Sequence, residues 1–370
     1  MDSVKVIRID EAGFKNMQEL WNSVLAGTDN SIFQNFDWAR NWWDVYGGNK
    51  ELLLLLCTER QHPIAIAPFV ITREPFNRLP ARKVELMYRT NLIITPTKEA
   101  VAVRGIMEYL KDIQRSWDIV DFSDMRDDKI LIDLFKQEAN RLGFEVLVKE
   151  DLPYPYIDIT KPWDEYWLER KGKFKKNIRR AQRLIKERLQ EVNYKFNIYN
   201  QADLDEKRLL SDFERLVELS MKSWKIRYGT ALGSSPERKE FYKRLIEVFS
   251  RSGKVEISFL EHNAIPMAGL LAILYKDVWY FFLTFYDKSY AEFSPGTLLL
   301  CNVLERVYKD GVSRIELLKG LFPIKLPWFT GISNRVHIVI FKNTLRSNIL
   351  KLSEEVIRPL IKGHSNVKDK

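Results

Sequence analysis

The sequence has few of the residues that mark disulfide-bonded or metal-binding proteins. Only two cysteines, Cys57 and Cys301, occur among 370 residues, and both lie in apolar runs. We therefore expect buried free thiols rather than a disulfide. The four histidines are scattered and do not have the spacing of metal ligands, so we expect no metal site.

Long apolar runs are also missing. The longest, Leu52 to Cys57, is far too short to cross a bilayer. The N-terminal segment, Met1 to Lys5, lacks the apolar core of a signal peptide. These absences predict a cytoplasmic protein, and peripheral attachment to the inner face of the membrane stays open.

The composition is that of a folded, basic protein. Hydrophobic residues make up 45% of the chain and aromatic residues 12%, which is enough to exclude a disordered chain. A length of 370 residues favours two domains. The formal net charge of +9 points to anionic partners, which include nucleic acid, a phosphate-rich cofactor and a membrane surface.

Strand and helix patterns alternate along the chain and predict an α/β fold with a mixed (α+β) sheet. Pro153-Tyr154-Pro155 interrupts this pattern after a strand predicted from Glu145 to Val148, so we place a domain boundary just beyond it. Two hairpins resemble each other: Leu52 to Ala67 and Val255 to Leu270 both read as strand, polar turn, proline, strand. The shared order of neighbouring elements favours an internal duplication over a chance match.

A strand–turn–helix segment in the second half has the features of an anion site. The run from Val278 to Phe285 reads as a strand, and an apolar pattern with helical spacing follows the turn. Ser294 is predicted to cap that helix, Pro295 to begin it, and Gly296 to allow close approach to the backbone. A helix N-terminus attracts phosphate, although an ordinary capped helix explains the same pattern. The counterpart at Thr95 to Glu99 has no glycine, so a phosphate-bearing cofactor is expected in the second half.

Five motifs, in this order, resemble the CelD/BcsL-like acyltransferases of the GNAT superfamily, which are akin to the FemABX transferases. They are Ile32 to Trp42, the basic run Lys173 to Arg180, Pro266-Met267-Ala268, Phe285 to Gly296, and Gly320 to Trp328. The resemblance implies two tandem GNAT-like domains: residues 1–158 without a cofactor and residues 159–345 with an acyl-CoA site. Residues 346–370 are then a C-terminal helix, predicted from Leu345 to Ile361, and a tail.

The resemblance also implies a reaction. Acetyl-CoA or another acyl-CoA would donate its acyl group to an amine of a sugar or cell-envelope precursor, either a small molecule or a nucleotide- or lipid-linked sugar. The family often has a tyrosine before the lysine matched by Lys325, and here Ile324 stands there. It often has a histidine four residues before the tryptophan matched by Trp224, and here Ser220 stands there, so the general base is not identified.

The donor and catalytic residues follow from that resemblance. The strand Trp279 to Thr284 would pair with the pantetheine arm, and Ser294, Gly296 and Thr297 would hold the pyrophosphate. Tyr290 is a candidate proton donor to the leaving thiolate, or else a tyrosine that packs in the turn. Lys325 lies in an apolar loop with two prolines, where it either stabilises a developing oxyanion or extends to solvent.

Candidate acceptor contacts lie elsewhere. Ser220 is on the apolar face of a predicted helix from Leu209 to Trp224, where it contacts the acceptor or bonds to its own helix backbone. Trp224 and Arg227, with Lys225 and Tyr228, follow at the helix end, and Tyr286 completes the predicted acceptor set.

A basic helix is predicted from Trp163 to Glu187, with an interruption at Gly172. The positive charge fits a helix face exposed to solvent. It also fits binding to an anionic partner: a phosphate-bearing acceptor, transfer RNA or an anionic membrane. Three functions therefore stay open: an acyl-CoA-dependent N-acyltransferase, a Fem-like transferase dependent on aminoacyl-tRNA, and a non-catalytic protein of polysaccharide assembly. The serine–proline–glycine turn favours the first.

Overall fold

The computed structural model describes residues 4–28 and 31–354. Within them the strands are β1 (Lys5–Ile9), β2 (Glu51–Glu59), β3 (His62–Thr72), β4 (Lys83–Leu86), β5 (Ile93–Ile94), β6 (Ile119–Arg126), β7 (Phe144–Asp158), β8 (Asn193–Asn200), β9 (Lys254–His262), β10 (Ile265–Tyr275), β11 (Val278–Tyr286), β12 (Arg314–Glu316) and β13 (Gly331–Lys342). The helices are α1 (Glu11–Lys15), α2 (Gln18–Leu25), α3 (Phe36–Tyr46), α4 (Glu99–Asp112), α5 (Lys129–Arg141), α6 (Trp163–Leu168), α7 (Gly172–Arg188), α8 (Glu206–Lys222), α9 (Pro236–Ser252) and α10 (Pro295–Val307).

The chain divides into two compact units. Unit 1 comprises Met1–Asp151 with Asn334–Lys370, and unit 2 comprises Leu152–Ser333. The strands β7 and β13 each cross the boundary along the chain. The domain limits predicted from the sequence, at residues 158 and 345, stay predictions.

In unit 1 the strands follow the order β1-β2-β3-β4-β6-β13-β7, and β5 pairs with β3. The ladder between β4 and β6 is parallel. The ladders β1–β2, β2–β3 and β3–β4 are antiparallel. Helices α4 and α5 cover one face with a core that includes Phe69, Trp117, Phe122 and Phe135. Cys57 is buried and free, as is Cys301 in unit 2, which confirms the expectation for both thiols.

Unit 2 repeats this plan. Its strands follow the order β7-β12-β11-β10-β9-β8, with one parallel ladder, between β11 and β12. The hairpins β2–β3 and β9–β10 both shift register beside the proline that the sequence comparison aligned, Pro63 in one and Pro266 in the other. The shared strand order, parallel ladder and bulge support the internal duplication predicted from the sequence.

Helices cover both faces of the unit 2 sheet. Alternate residues of a strand point to opposite faces. A Cβ atom at Gly269 would lie 2.7 Å from Leu216 of α8, so α8 packs on the face that Gly269 occupies. Ala268 and Leu270 point to the other face, where they join a core with Ile178 of α7 and Leu298 of α10.

The interruption predicted at Pro153-Tyr154-Pro155 is wrong. Strand β7 runs without a break from Phe144 to Asp158 through both prolines. Proline lacks only the N–H donor, and its carbonyl remains available to a neighbouring strand. Here the carbonyl of Pro153 accepts from Gly320 N at 2.9 Å and that of Pro155 accepts from Leu317 N at 3.0 Å. The prolines therefore cost β7 none of these bonds.

The basic helix is divided, as predicted, at Gly172: α6 ends at Leu168 and α7 begins at Gly172. Residues 345–354 are helical, and the remainder of the helix predicted to Ile361 lies outside the described residues. No cluster of three or more potential metal-ligating side chains occurs in the described parts of the chain. Every helix within residues 4–28 and 31–354 is too short or too polar to traverse a lipid bilayer.

Candidate active site

Strand β11 has an edge that its neighbour leaves open. The parallel ladder with β12 joins three residue pairs and ends at Tyr280 and Glu316. Beyond Tyr280, β11 continues to Tyr286 and pairs on its other side with β10. Past Glu316 the chain instead bonds to β7, through Leu317 N to Pro155 O. The two strands thus separate along the second half of β11.

The register with β10 shows which backbone groups face that opening. Asp287 N donates to Met267 O at 2.9 Å, which makes the pair Tyr286–Ala268 a non-hydrogen-bonded pair of the antiparallel ladder. Such pairs recur at every second residue, so Thr284–Leu270 is one too. In a non-hydrogen-bonded pair, N–H and C=O point away from the partner strand. The backbone groups of Thr284 and Tyr286 therefore point towards the open edge.

The start of α10 lies against this part of β11. A Cβ atom added to Gly296 would be 3.8 Å from both Thr284 Oγ1 and the ring of Tyr286. Pro295 occupies the first turn of the helix, as predicted. The capping role predicted for Ser294 is wrong: its side chain makes no capping hydrogen bond, and its backbone is left-handed, with φ of 48°. A left-handed residue turns the chain sharply from the preceding 3₁₀ turn, Lys288–Phe293, into α10.

A cleft of about 240 Å³ opens beside this helix start. It is bounded by α7, by the first turn of α10 and by the loop between β12 and β13. Its lining residues are Phe174, Asn177, Ile178, Ala181, Ser294, Thr297, Leu298, Pro323, Ile324 and Pro327. The volume suits part of an extended ligand, since pockets that enclose a drug-sized ligand are roughly 300–1,000 Å³.

Positive charge borders the cleft along one face of α7. Asn177 lines the cleft, and residues three and four positions away on a helix share its face. Those residues are Arg180 and Lys173, and both side chains are exposed. No carboxylate in the described residues forms an ion pair with either of them. An anionic group in the cleft would therefore find two cations without ion-pair partners at its border.

On the opposite face of the sheet, a lysine reaches the open edge. Lys225 lies in the 3₁₀ segment Trp224–Tyr228, which follows α8. Its Nζ atom donates to the carbonyl of Thr284 at 3.0 Å and lies 4.6 Å from the centre of the Phe285 ring. Burial and the neighbouring cation Arg238 lower the pKa of Lys225 to about 8.

The other acceptor candidates from the sequence have different settings. Ser220 is fully buried: its hydroxyl donates to Val217 O at 2.6 Å and accepts from Leu232 N at 3.0 Å, so it joins α8 to the following loop. Trp224 and Arg227 are exposed beside Tyr228, whose ring meets Trp224 edge-on at 5.5 Å. Tyr286 lies at the open edge described above. Their roles in binding an acceptor stay predictions.

The two predicted catalytic residues are not brought together by any described contact. Lys325 is buried, and its Nζ donates to Leu318 O at 2.9 Å and to Lys319 O at 2.8 Å, which closes the loop that borders the cleft. The ring of Tyr290, half-buried in the turn before α10, meets the rings of His262 and Phe293. Both catalytic roles stay predictions.

Sequence reasoning missed the contribution of α7 to the cleft and the contact of Lys225 with the carbonyl of Thr284. Asn177 and Phe174 follow an amphipathic pattern that indicates only which face is buried. The register that turns the carbonyl of Thr284 towards Lys225 is a long-range property of the sheet. Four predicted donor residues are nevertheless brought together around the start of α10: Thr284, Ser294, Gly296 and Thr297.

Strand β11 thus separates from its parallel neighbour beside the start of α10, the place where the GNAT resemblance predicts the acyl-CoA site. Residues 172–326 match the family model described as acetyltransferase (GNAT) domain. This part of the chain is therefore similar to GNAT acetyltransferase domains. No curated protein matches the chain.

Solved structures share the fold over nearly the whole chain. FemX is 12% identical, with a TM-score of 0.60, over 94% of this chain and 99% of its own. A tandem GNAT protein from the clavulanic acid biosynthesis pathway is 10% identical, with a TM-score of 0.51, over 91% of this chain and 98% of its own. The C-terminal domain of a putative lysylphosphatidylglycerol synthetase from Agrobacterium fabrum is 10% identical, with a TM-score of 0.52, over 93% and 97%.

These likenesses confirm the recognition and the fold class predicted from the sequence. Over nearly its whole length the chain shares the mixed α/β fold of FemX and of the tandem GNAT protein, and residues 172–326 match the acetyltransferase (GNAT) domain model.

Proposed function

We propose that the protein transfers an acyl group, acetyl in the simplest case, from acyl-CoA to an amine of a sugar or cell-envelope precursor. The observation that carries this proposal is the open edge of β11, which lies directly against the start of α10. The backbone N–H of Thr284 and the N–H and C=O of Tyr286 are directed to that edge, where the amides of a pantetheine arm can pair with them as a further strand would, while the carbonyl of Thr284 accepts from Lys225.

The pyrophosphate of the donor would lie at the first turn of α10. In this first turn Pro295 has no N–H and Thr297 N donates to Ser294 O at 3.1 Å, so the backbone N–H of Gly296 and the positive end of the helix dipole are what the turn offers to an anion. Gly296 leaves the space towards Thr284 and Tyr286 free, and Ser294 and Thr297 line the cleft beside it. Arg180 and Lys173 add positive charge at the cleft border.

The acceptor would approach from the face of α8. Trp224 and Tyr228 expose 45% and 65% of their surface, which is unusual for side chains of this size. An aromatic ring offers a flat apolar surface with a polar rim, a combination that suits a sugar ring. Arg227 is exposed beside them and would attract a phosphate of a nucleotide- or lipid-linked sugar. These features support a sugar amine, small or carried on such a group, as the acceptor class.

The reaction would join the amine nitrogen to the thioester carbonyl carbon and break the carbon–sulfur bond. Holding the two reactants in line supplies much of the rate enhancement. We assign Tyr290 as proton donor to the leaving thiolate. Lys325 is assigned to the oxyanion, either directly or by fixing the loop carbonyls at Leu318 and Lys319.

Two measurements test the proposal. Titration calorimetry with acetyl-CoA should give a dissociation constant within about 1 μM–1 mM, the range of ordinary substrate affinities. Thiol release from acetyl-CoA should then increase when amino sugars are added. Failure of acetyl-CoA to bind at millimolar concentration would refute the acyl-CoA donor.

A second donor, aminoacyl-tRNA, is favoured by one feature of the surface. The exposed residues Lys176, Arg179 and Arg180 of α7 make no ion pair in the described structure, and cations of this kind bind nucleic-acid backbones. This reading predicts steeply salt-dependent binding of charged tRNA and no acetyl-CoA binding. With either donor, we propose that the protein acts in the cytoplasm. If it is attached peripherally to a membrane, α7 would contact the anionic surface.

A further inference from the structure

We infer that Lys225 is the general base of the transfer and removes the proton from the acceptor amine as it attacks the thioester. This inference rests on the proposed function and assigns the one role that the sequence left without a residue.

Lys225 is held at the junction of the donor and acceptor sides. The carbonyl of Thr284, which points into the open edge of β11, accepts its Nζ–H at 3.0 Å. The side chain of the same threonine lies on the other face, against Gly296 at the proposed donor site. Thr284 therefore contacts Lys225 through its carbonyl and the proposed donor site through its side chain. The Nζ atom of Lys225 also lies 4.6 Å from the centre of the Phe285 ring.

The surroundings of Lys225 favour an uncharged amine. No carboxylate in the described residues forms an ion pair with it. Strand β11 presents Thr284 and Phe285 to it, and neither side chain titrates. The charged group that faces it from α9 is Arg238, a cation, and on its own segment Arg227 is exposed to solvent. Desolvation and a neighbouring cation both disfavour the ammonium form, which is why the pKa of Lys225 falls to about 8.

An amine with that pKa can perform the proton transfer. The hydrogen bond to Thr284 O needs only one N–H, so a neutral Lys225 keeps this bond and directs its lone pair elsewhere. The acceptor attacks as the neutral amine: its lone pair bonds to the carbonyl carbon and its N–H proton passes to Nζ. The carbon–sulfur electrons leave with the thiolate, which is protonated by Tyr290 or water. The proton on Lys225 then returns to solvent, and no further reactant is required.

Ser220, which stands where related sequences often have a histidine, is an unsuitable base in this structure. Its hydroxyl is fully buried and already makes two hydrogen bonds to backbone groups. Lys225 is five residues further along, beyond the end of α8, and is partly exposed to solvent. The protein therefore has a different group, on the same face of the sheet, in the position from which an amine would approach.

The test compares Lys225→Met and Lys225→Arg with wild type, and uses Lys222→Met as the matched control. Lys222 is exposed at the end of α8, three residues before Lys225. The activity assay uses acetyl-CoA with the amino sugar found by thiol release, and kcat is measured from about pH 6 to 10. In addition, trace labelling with acetic anhydride, read by mass spectrometry, follows the reactivity of each lysine against pH.

The expected wild-type kcat rises with pH and levels off above about pH 8, and the label on Lys225 follows the same curve. Both Lys225 variants should lose about 10²-fold or more in kcat and lose this pH dependence, with acetyl-CoA affinity unchanged. Lys222→Met should behave as wild type.

Normal kcat and pH dependence in Lys225→Met, or labelling of Lys225 that titrates together with Lys222, would overturn the inference and leave the proposed function standing. Absence of acetyl-CoA binding or of any turnover in wild type would instead refute the proposed function and the base with it. A loss of acetyl-CoA affinity equal to the loss of kcat would show that Lys225 binds the donor and is not the base.

Discussion

Thr284 accepts a hydrogen bond from Lys225 through its carbonyl, at 3.0 Å, while its hydroxyl lies 3.8 Å from the position that a Cβ atom of Gly296 would take. One residue of β11 therefore contacts the segment after α8 on one face and the first turn of α10 on the other. In a strand the backbone lies in the plane of the sheet and the side chain stands on one face, so a single residue can join two sites in this way.

Substitution of Gly296 by alanine should separate folding from donor binding. The added methyl group meets Thr284 and Tyr286 at 3.8 Å, an ordinary contact distance, so the fold has room for it. Alanine also favours a helix over glycine by roughly 0.5–1 kcal/mol, so the melting temperature should stay level or rise. The methyl group would occupy the space beside the proposed pyrophosphate, and acetyl-CoA should bind about tenfold more weakly.

Gly48→Ala is the control for this experiment, because a Cβ atom at Gly48 meets no atom within 4 Å. Calorimetry with acetyl-CoA and thermal melting of both variants give the comparison. Unchanged affinity in Gly296→Ala would remove the first turn of α10 from the donor site.

Lys225 should make the free energy of unfolding depend on pH, an effect that can be measured without any substrate. Its pKa in the folded state is about 8, below the usual 10.5, so between these two values the unfolded chain binds more protons than the folded one. Stability from this group therefore rises as the pH rises from 8 to 10.5, by at most about 1.4 kcal/mol per pH unit. Below pH 8 the folded state carries the full cost of the buried ammonium.

Replacement by methionine removes that cost. Urea unfolding should show Lys225→Met gaining on wild type most at pH 7 and least at pH 10.5. A difference between the two proteins that does not change with pH would mean that Lys225 titrates normally in the fold.

Two neighbouring arginines of α7 distinguish the two donors. Arg179 and Arg180 are both exposed and neither forms an ion pair in the described structure, but they point to different sides of the helix. Arg180 shares the face of Asn177, which lines the cleft, whereas Arg179 points away from it. With acyl-CoA as donor, Arg180→Glu should raise the acetyl-CoA dissociation constant about two- to tenfold, and Arg179→Glu should leave it unchanged.

A long polyanion would contact the whole basic face. With aminoacyl-tRNA as donor, both substitutions should therefore weaken binding of charged tRNA and lower the slope of affinity against salt by similar amounts. Equal effects of the two variants on acetyl-CoA binding would contradict a site in the cleft.

Lys325→Met measures how much of this residue's effect is structural. The ammonium group satisfies the carbonyls of Leu318 and Lys319 within a buried loop, and removing it leaves both without that donor. The expected loss of unfolding free energy is about 1–3 kcal/mol. If Lys325 acts only through the loop, kcat at saturating acetyl-CoA should fall in step with donor affinity; a fall in kcat alone would place its charge at the oxyanion.

Several local elements were predictable because they depend on neighbours in the chain. In helix α3 the residues Trp38, Trp42 and Tyr46 repeat with helical spacing, a pattern that indicates a helix from neighbouring residues alone. Strand β11 was predicted to within one residue from its β-branched and aromatic run. Pro295 begins α10 because proline suits the first turn of a helix. The donor cluster around Gly296 follows from the same local chemistry.

Errors arose where a distant partner or the conformation of the backbone overrode the signal of the residue type. Pro153 and Pro155 read as a break, yet Gly320 and Leu317, far along the chain, donate to their carbonyls and keep β7 continuous. Ser294 reads as a cap, yet the turn that joins β11 to α10 requires its left-handed backbone instead of its hydroxyl.

By itself the sequence determined the order of strands and helices, the duplicated hairpin and the helix start that faces the proposed donor, since each depends on spacing within a short segment. Only the tertiary structure decided which backbone groups of β11 face outwards, because a one-residue change of register with β10 would turn Thr284 inwards. It likewise brought Lys225 to that carbonyl and Arg180 to the cleft. Such contacts join segments that are distant in the chain, and no local pattern of residues encodes them.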